Sequence, residues 1–266
     1  MERKVEDLVS IIVACHNGER YIDECFESLV KQTYENIEII VCDDASTDNS
    51  VSKLQEWCKR DPRIKLLINE NNLNIAATRN KCIKSSGGRY IVIQDVDDVS
   101  KTNRIEILLQ TLKESNMAFV SSSVAAFSKS HKEVDHIYSF QKKIPSKWSF
   151  LFGVPFFHPS TIFTCDCLKK VKGYRVAEET RRAEDYDIYM RLYASGYKGM
   201  TIPDVLYYYR LDAGNYKRRT FSGRRGEMKV RRQGFKALGL LPWGWPFVFK
   251  PLLAHVVMHA RLLIKL

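Results

Sequence analysis

The 266-residue sequence predicts an α/β domain, an open, mixed and mostly parallel sheet flanked by helices, followed by a C-terminal basic, amphipathic helical tail. Three observations carry that prediction. Short continuous apolar runs alternate with stretches whose apolar residues recur at helical spacing, the pattern of a parallel sheet covered on both faces. The chain is 45% hydrophobic, enough for one sizeable core. The formal charge of +11 belongs to the end alone, because Ala213 to Leu266 holds twelve Lys and Arg against one acid, Glu227. This places a domain over residues 1–212, divided into halves 1–104 and 105–212, and a tail over 213–266.

The elements follow in order. "LVSIIVAC" (Leu8 to Cys15) reads as a strand. Glu19 to Lys31 reads as a helix through Ile22, Cys25, Phe26, Leu29 and Val30. "IEIIVCD" (Ile37 to Asp43) is a second strand, and Ser50 to Lys59 a helix with Val51, Leu54, Trp57 and Cys58 on one face. "RIKLLIN" (Arg63 to Asn69), helix Ile75 to Ser85, the turn "SSGG" and strand Tyr90 to Gln94 complete a βαβαβαβ array. Such a sheet binds ligand in the crevice at its strand carboxyl ends. Beyond it come helix Lys101 to Glu114, a strand and hairpin in "MAFVSSSVAAF" and a loop around "FFHPSTIF". A helix near "AEDYDIYMRLYASG" and a strand pair around "KGMTIPDVLYYYR" close the domain.

Composition excludes several classes. The seven cysteines are odd in number and scattered, with no C-x-x-C, which disfavours a disulfide framework or zinc knuckle and fits a reducing, cytosolic compartment. "MERKVEDLVS" lacks the apolar stretch of a signal peptide, so export is not expected. The net-neutral body argues against a nucleic-acid groove, and no G-x-G-x-x-G follows the first strand as an NAD enzyme would need.

Carboxylates crowd the predicted crevice. Asp95, Asp97 and Asp98 follow the fourth strand in "VIQDVDD". If the extended backbone continues, Asp95 and Asp97 face one side and can converge on a hard cation, Mn2+ or Mg2+. The alternative is a solvated turn with Asp98 capping the next helix. Asp43 and Asp44 end the second strand, with Asp48 or Ser50 better placed as helix caps, and Asn17 follows the first. Polar groups converging from three strands indicate one shared site. Further on, Glu184, Asp185 and Asp187 open a helix, where acids satisfy the helix dipole and Asp187 can pair with Arg191.

"VSIIVACHNGERYIDECFESLVKQTYENIEIIVCDDASTDNS" followed by "NNLNIAATRNKCIKSSGGRYIVIQDVDD" resembles the nucleotide-binding half of a family 2 inverting glycosyltransferase with the GT-A fold. The resemblance runs from Leu8 to about Arg104 and more weakly to Arg210. It implies that Asp44 contacts the nucleobase, that Asp95 and Asp97 hold ribose and a metal-bound diphosphate, and that Arg79 lies near the phosphates. Ala14, Asn17, Asp43, Asn74 and Val96 are implied members of the donor site. In "ED", Asp185 matches the usual general base, with Glu184 beside it at the acceptor, while His158 and Asp98 match the acceptor and phosphate region. Family members usually have glycine at Asn74 and often at Cys82, and many have proline near Thr102; Asn tolerates the positive φ a glycine would supply.

The resemblance implies transfer from a nucleotide-diphosphate sugar, a UDP-sugar foremost, to a hydroxyl of a saccharide or lipid-linked saccharide, with inversion, in cell-surface polysaccharide or lipopolysaccharide assembly. The Q-x-x-R-W signature of processive members is absent, so addition of one or a few sugars is expected. In the tail, "KRRTFSGRRGEMKVRR" precedes an apolar stretch broken by Pro242, Pro246 and Pro251, too interrupted to span a bilayer. Leu252, Leu253, Val256, Val257, Ala260, Leu263 and Ile264 fall on one helical arc opposite Lys250, Arg261 and Lys265. That pattern fits an interfacial segment on anionic lipid at the cytoplasmic face of the cell membrane, or a helix docked on the domain itself. His255 and His259 have no third metal ligand. The competing readings are a nucleotidyltransferase, whose glycine-rich basic loop is missing, and a non-catalytic membrane- or nucleic-acid-binding protein using the tail; nucleic acid is not an expected partner.

Overall fold

The structure, a computed structural model, describes residues 7–211 and 220–253. The expected array is present as β1 (Val9–Cys15), α1 (Ile22–Val30), β2 (Ile37–Asp43), α2 (Ser50–Arg60), β3 (Ile64–Ile68), α3 (Asn74–Ser85) and β4 (Tyr90–Asp95). Then come β5 (Val99–Ser100), α4 (Arg104–Ser115), β6 (Phe119–Phe127), β7 (His136–Tyr138), β8 (Thr161–Thr164), α5 (Cys165–Lys170), α6 (Glu184–Ala194) and β9 (Gly199–Arg210). Helices α7 (Phe221–Ala237) and α8 (Trp245–Val248) follow. Among the described residues the strands form one sheet ordered β3-β2-β1-β4-β8-β6-β9-β5, with β7 on β6.

The four N-terminal strands are parallel, and their register places the site. Cys15 lies opposite Asp43, and Ala14 between Cys42 and Asp95, so β1, β2 and β4 end level with one another. Side chains alternate between two cores. Val9, Ile11 and Val13 pack with Phe26, Leu54 and Leu108 from α1, α2 and α4. Ile12, Ile91 and Ile93 pack toward Cys82, Tyr189 and Phe235 from α3, α6 and α7. All seven cysteines are free.

Several elements differ from expectation, among them α1, which starts at Ile22 and not at Glu19. The "FFHPSTIF" region contributes β8, which enters the sheet antiparallel between β4 and β6. A four-residue strand starting two residues after Pro159 is too short to show a period. The expected strand pair is a single long strand, β9, parallel to β6. Its register breaks between Ile202 and Val205, so Pro203, which has no N–H to donate, falls in the bulge. Helix α4 starts at Arg104, three residues later than expected.

The tail is not a free appendage where it is described. Val230, Phe235, Leu238, Leu240 and Val248 are buried in the core that holds α6. Two glycines bring α7 to near-backbone contact: a Cβ on Gly226 would lie 2.9 Å from the Glu179 carbonyl oxygen, and one on Gly234 would lie 2.2 Å from Met190 Sδ. Lys217, His255, His259 and the amphipathic arc beyond Leu253 lie outside the described residues. No helix among the described residues is long and apolar enough to cross a membrane.

Candidate active site

The turn after β4 corrects one expectation. The Asp98 amide donates to the Asp95 carbonyl at 3.2 Å, so the chain folds into a turn at Val96 and Asp97 instead of continuing extended. The turn has a buried floor. Gln94 Nε2 donates to the carbonyls of Asp95 and Asp98 at 2.9 and 3.1 Å, and Arg104, stacked on the Tyr207 ring, donates to Gln94 Oε1 at 2.8 Å. Asp98 belongs to that floor. It does not cap α4, where Asn103 occupies the N-cap, and at 1% exposure it does not meet an acceptor. Its Oδ1 accepts the Arg210 amide at 2.7 Å, and burial, reinforced by the charges of Asp97 and Asp95, drives its carboxyl strongly toward the protonated form.

At the end of β2 the two neighbouring carboxylates part. Asp43 is fully buried and closes its own turn, accepting the Ser46 amide at 2.9 Å and hydroxyl at 2.5 Å, so it is structural and not a donor contact. Asp44 accepts the amides of Leu73 and Asn74 at 2.8 and 2.9 Å and Asn69 Nδ2 at 2.8 Å, tying β2 to the start of α3. Asn74 adopts the expected left-handed backbone, φ +68°, and its Oδ1 accepts from Arg181 at 2.8 Å. Asn17, at φ +52°, is exposed and accepts the Thr47 amide at 2.8 Å, while Val96 is half-buried. Ala45 and Arg182 also hold positive φ, unusual for these residue types and typical of functional sites.

Arg79 joins the two halves. Its Nη2 donates to Asp95 Oδ1 at 2.6 Å, its Nη1 lies 3.5 Å from Glu184 Oε1, and its guanidinium sits 5.7 Å from the centre of the Tyr174 ring. Burial alone would lower its pKa; the Asp95 charge, then Tyr174 and Glu184, hold it raised. His158 is buried behind this group. Its Nε2 and Nδ1 pair with the hydroxyls of Tyr174 at 2.8 Å and Tyr189 at 3.2 Å, and burial with the Arg79 charge keeps it neutral. It therefore positions Tyr174 and does not itself reach an acceptor. Glu184 Oε2 is buried without a partner among the described residues. Asp185 accepts the Tyr186 amide at 2.7 Å and is pushed up to about 7, by burial first and then by the Glu184 charge. Asp187 pairs with Arg175 at 3.0 Å and Arg191 at 2.6 Å, a structural role as expected.

Two cavities meet here. A cleft of about 1060 Å³ is walled by Asp44, Asn74 and Glu184, with His16, Arg181 and Lys229 around it. A chamber of about 210 Å³ holds Asp185, Tyr186, Arg224 and Arg231. They share Arg182, Thr220 and Gly223. Consecutive carboxylates thus face different spaces, Glu184 the cleft and Asp185 the chamber. The basic residues here were not singled out from sequence, although "TRRAED" and the i,i+4 spacing of Arg225 and Lys229 carry a signal.

Among the described residues no three His, Cys, Asp or Glu side chains gather as a closed metal cage. The donor set nevertheless fits a hard divalent ion. Mg2+ and Mn2+ are commonly held by one or two carboxylates and completed by water and substrate phosphate, and Asp95 opens, and Asp97 lies within, one tight turn whose buried end Asp98 feels the charge of both.

The sequence model described as "Glycosyl transferase family 2" matches residues 10–169. The chain is 32% identical to the putative glycosyltransferase EpsE of Bacillus subtilis, across 92% of this chain and 88% of that protein. It is 41% identical to the Escherichia coli UDP-Glc:alpha-D-GlcNAc-diphosphoundecaprenol beta-1,3-glucosyltransferase WfgD, across 42% and 44%. The mannosyltransferase PcManGT of Pyrobaculum calidifontis, solved with GDP-Man and Mn2+, superposes with a TM-score of 0.67 at 18% identity, covering 98% of this chain and 80% of that one. This last likeness speaks for the fold, the GT-A arrangement of a mixed sheet flanked by helices.

Proposed function

Because this chain is a member of glycosyl transferase family 2, and so a glycosyltransferase, we propose that it moves a sugar from a UDP-sugar to a saccharide hydroxyl with inversion. The observation that carries the reading is the division of Glu184 and Asp185 between the two cavities. The nucleoside occupies the larger cleft, against Asp44 and the start of α3, and the acceptor hydroxyl enters the chamber. Residues 1–104 then bind the donor and 105–212 the acceptor, as Asp44 and Asp185 divide. Asp185, poised near 7, takes the proton of the attacking hydroxyl. Arg79 holds Asp95 and Glu184 at fixed places along the donor side, so little reorganisation is needed when charge develops on the leaving group. Attack opposite that group in one displacement inverts the anomeric carbon. Asp95 and Asp97 would hold Mn2+ or Mg2+, which when bound supplies positive charge to the diphosphate. The donor class is supported by the UDP-Glc in WfgD's name and the ion by the Mn2+ in the PcManGT structure.

Isothermal titration of UDP with and without Mn2+ tests the donor side. Asp97→Asn should reduce the Mn2+-dependent gain in UDP affinity by about tenfold, the worth of one charge-assisted ligand, with the melting temperature little changed. An equal Mn2+ response in variant and wild type would remove Asp97 from the site.

We also read the protein as bound peripherally to an anionic membrane surface, where a lipid-linked acceptor lies. Support comes from exposed aromatic side chains in and beside the tail. Trp243 is 74% exposed and Phe152 66%, and Trp148, Trp245, Phe249 and Leu253 are exposed as well. Phe152 packs edge-on to Phe247, and its carbonyl accepts Lys250 Nζ at 2.6 Å. Arg232 lies over Trp245 and Lys147 over Trp148, so positive charge flanks these aromatics, as at interfacial surfaces. Sedimentation of the full chain with phosphatidylglycerol vesicles should fall about tenfold on replacing Phe152, Trp243 and Trp245 with Ser, given the apolar area removed. Unchanged sedimentation would assign attachment elsewhere.

A further inference from the structure

Chamber and cleft differ in how their cations are used. Three guanidiniums line the chamber, those of Arg182, Arg224 and Arg231, against two carboxylates, Asp185 and Glu227. Arg231 is committed within the protein: it holds Glu227 Oε1 at 3.1 and 3.2 Å, covers the Tyr186 ring and reaches the Leu151 and Phe247 carbonyls. Arg224 is not. It is only 8% exposed, and among the described residues its one ion-pair contact, to Glu227 Oε2, is stretched to 3.5 Å and its Nε has no partner. A buried guanidinium with unmade hydrogen bonds is unfavourable unless a further group completes it.

Its placement narrows what that something is. Arg224 stands in the first turn of α7, behind the Thr220 cap, where the helix adds positive potential. A neutral sugar is matched by carboxylate, amide and hydroxyl groups, whereas a planar fork of donors with uncompensated charge matches a phosphate. We infer that the chamber takes a phosphate group of the acceptor and that Arg224 is the residue that recognises it, with Arg182 at the rim. The acceptor class is then a saccharide phosphate ester, of which a lipid-linked diphosphosaccharide is one form. This rests on the reading that the acceptor enters on the Asp185 side. A diphosphate belongs to the donor as well, so the test separates the two sources.

The full chain, saturated with UDP and Mn2+, is titrated calorimetrically with N-acetylglucosamine 1-phosphate, with N-acetylglucosamine and with inorganic pyrophosphate. Wild type should bind the sugar phosphate at least about tenfold more tightly than the free sugar, as a charge-assisted contact to a buried guanidinium would give. Arg224→Gln should abolish that preference and weaken pyrophosphate by a similar factor, while UDP affinity stays within about twofold. Arg224→Lys, which keeps the charge, should retain part of the preference, and Arg182→Gln most of it; melting temperatures report whether each variant is folded. An equal loss of UDP affinity in Arg224→Gln would assign the guanidinium to the donor and overturn the proposal. So would a wild type that does not distinguish the sugar from its phosphate, a result needing no variant at all. Failure of the wild type to bind UDP is a separate outcome, because it would sink the transferase reading itself.

Discussion

Asp185→Asn should lower the transfer rate by about 10²–10⁴-fold, the range for loss of a general base, while UDP affinity changes less than about twofold. Two pH signatures accompany it. In wild type the rate should rise as pH passes through about 7 and then level off, because Asp185 must be ionised to accept the proton. The stability signature has the opposite sense. A carboxyl with a folded pKa raised from 3.8 to about 7 binds more protons folded than unfolded between those values, so its ionisation weakens the fold as pH rises across that window. Asp185→Asn should therefore melt above wild type at pH 8 and coincide with it below pH 4, as a strained catalytic group predicts. Single-turnover rates and melting curves at both pH values check this; a variant that retains more than a tenth of the rate removes Asp185 from the role.

Arg79→Met should cost about 3–5 kcal/mol of stability, the range for deleting one partner of a buried ion pair. Two carboxylates depend on this guanidinium. Asp95 would lose its 2.6 Å partner, and Glu184, whose Oε2 already lacks one among the described residues, would lose the guanidinium beside its other oxygen. Urea unfolding midpoints measure the loss, and the double variant Arg79→Met/Asp95→Asn should recover part of it by neutralising the stranded charge. Donor binding should fall along with stability. A loss under about 1 kcal/mol would mean that the pair behaves as a screened surface contact.

The fold was readable where burial is uniform. β1, β2 and β4 are buried on both faces, so their sequences are continuous apolar runs that announce a parallel sheet. β8 and β5, at four and two residues, are too short to carry a period, and their places in the sheet follow from tertiary pairing. Within the site, sequence located the carboxylates but could not assign their neighbours. Asp43 and Asp44 are one residue apart and turn in opposite directions, one into its own loop and one to the cleft. Asp98 is as acidic on paper as Asp97, yet the Arg104 and Tyr207 floor lies beneath it. Arg224 was invisible among the eight bases from Lys217 to Arg232, because only the docking of α7 separates a buried guanidinium from solvated ones.

That docking also sets a height. Arg224 in the chamber and Arg232 over the Trp245 indole are eight residues apart on one helix, about 12 Å at 1.5 Å per residue. A bilayer leaflet carries roughly 5–8 Å of headgroup region beyond its hydrocarbon. Under the proposed membrane attachment, with Trp245 at that interface and α7 upright on it, the chamber would stand just above the lipid headgroups, where the phosphate of an anchored saccharide would emerge into water. Helix α7 would then work as a standoff that brings the sugar carried on that phosphate level with Asp185.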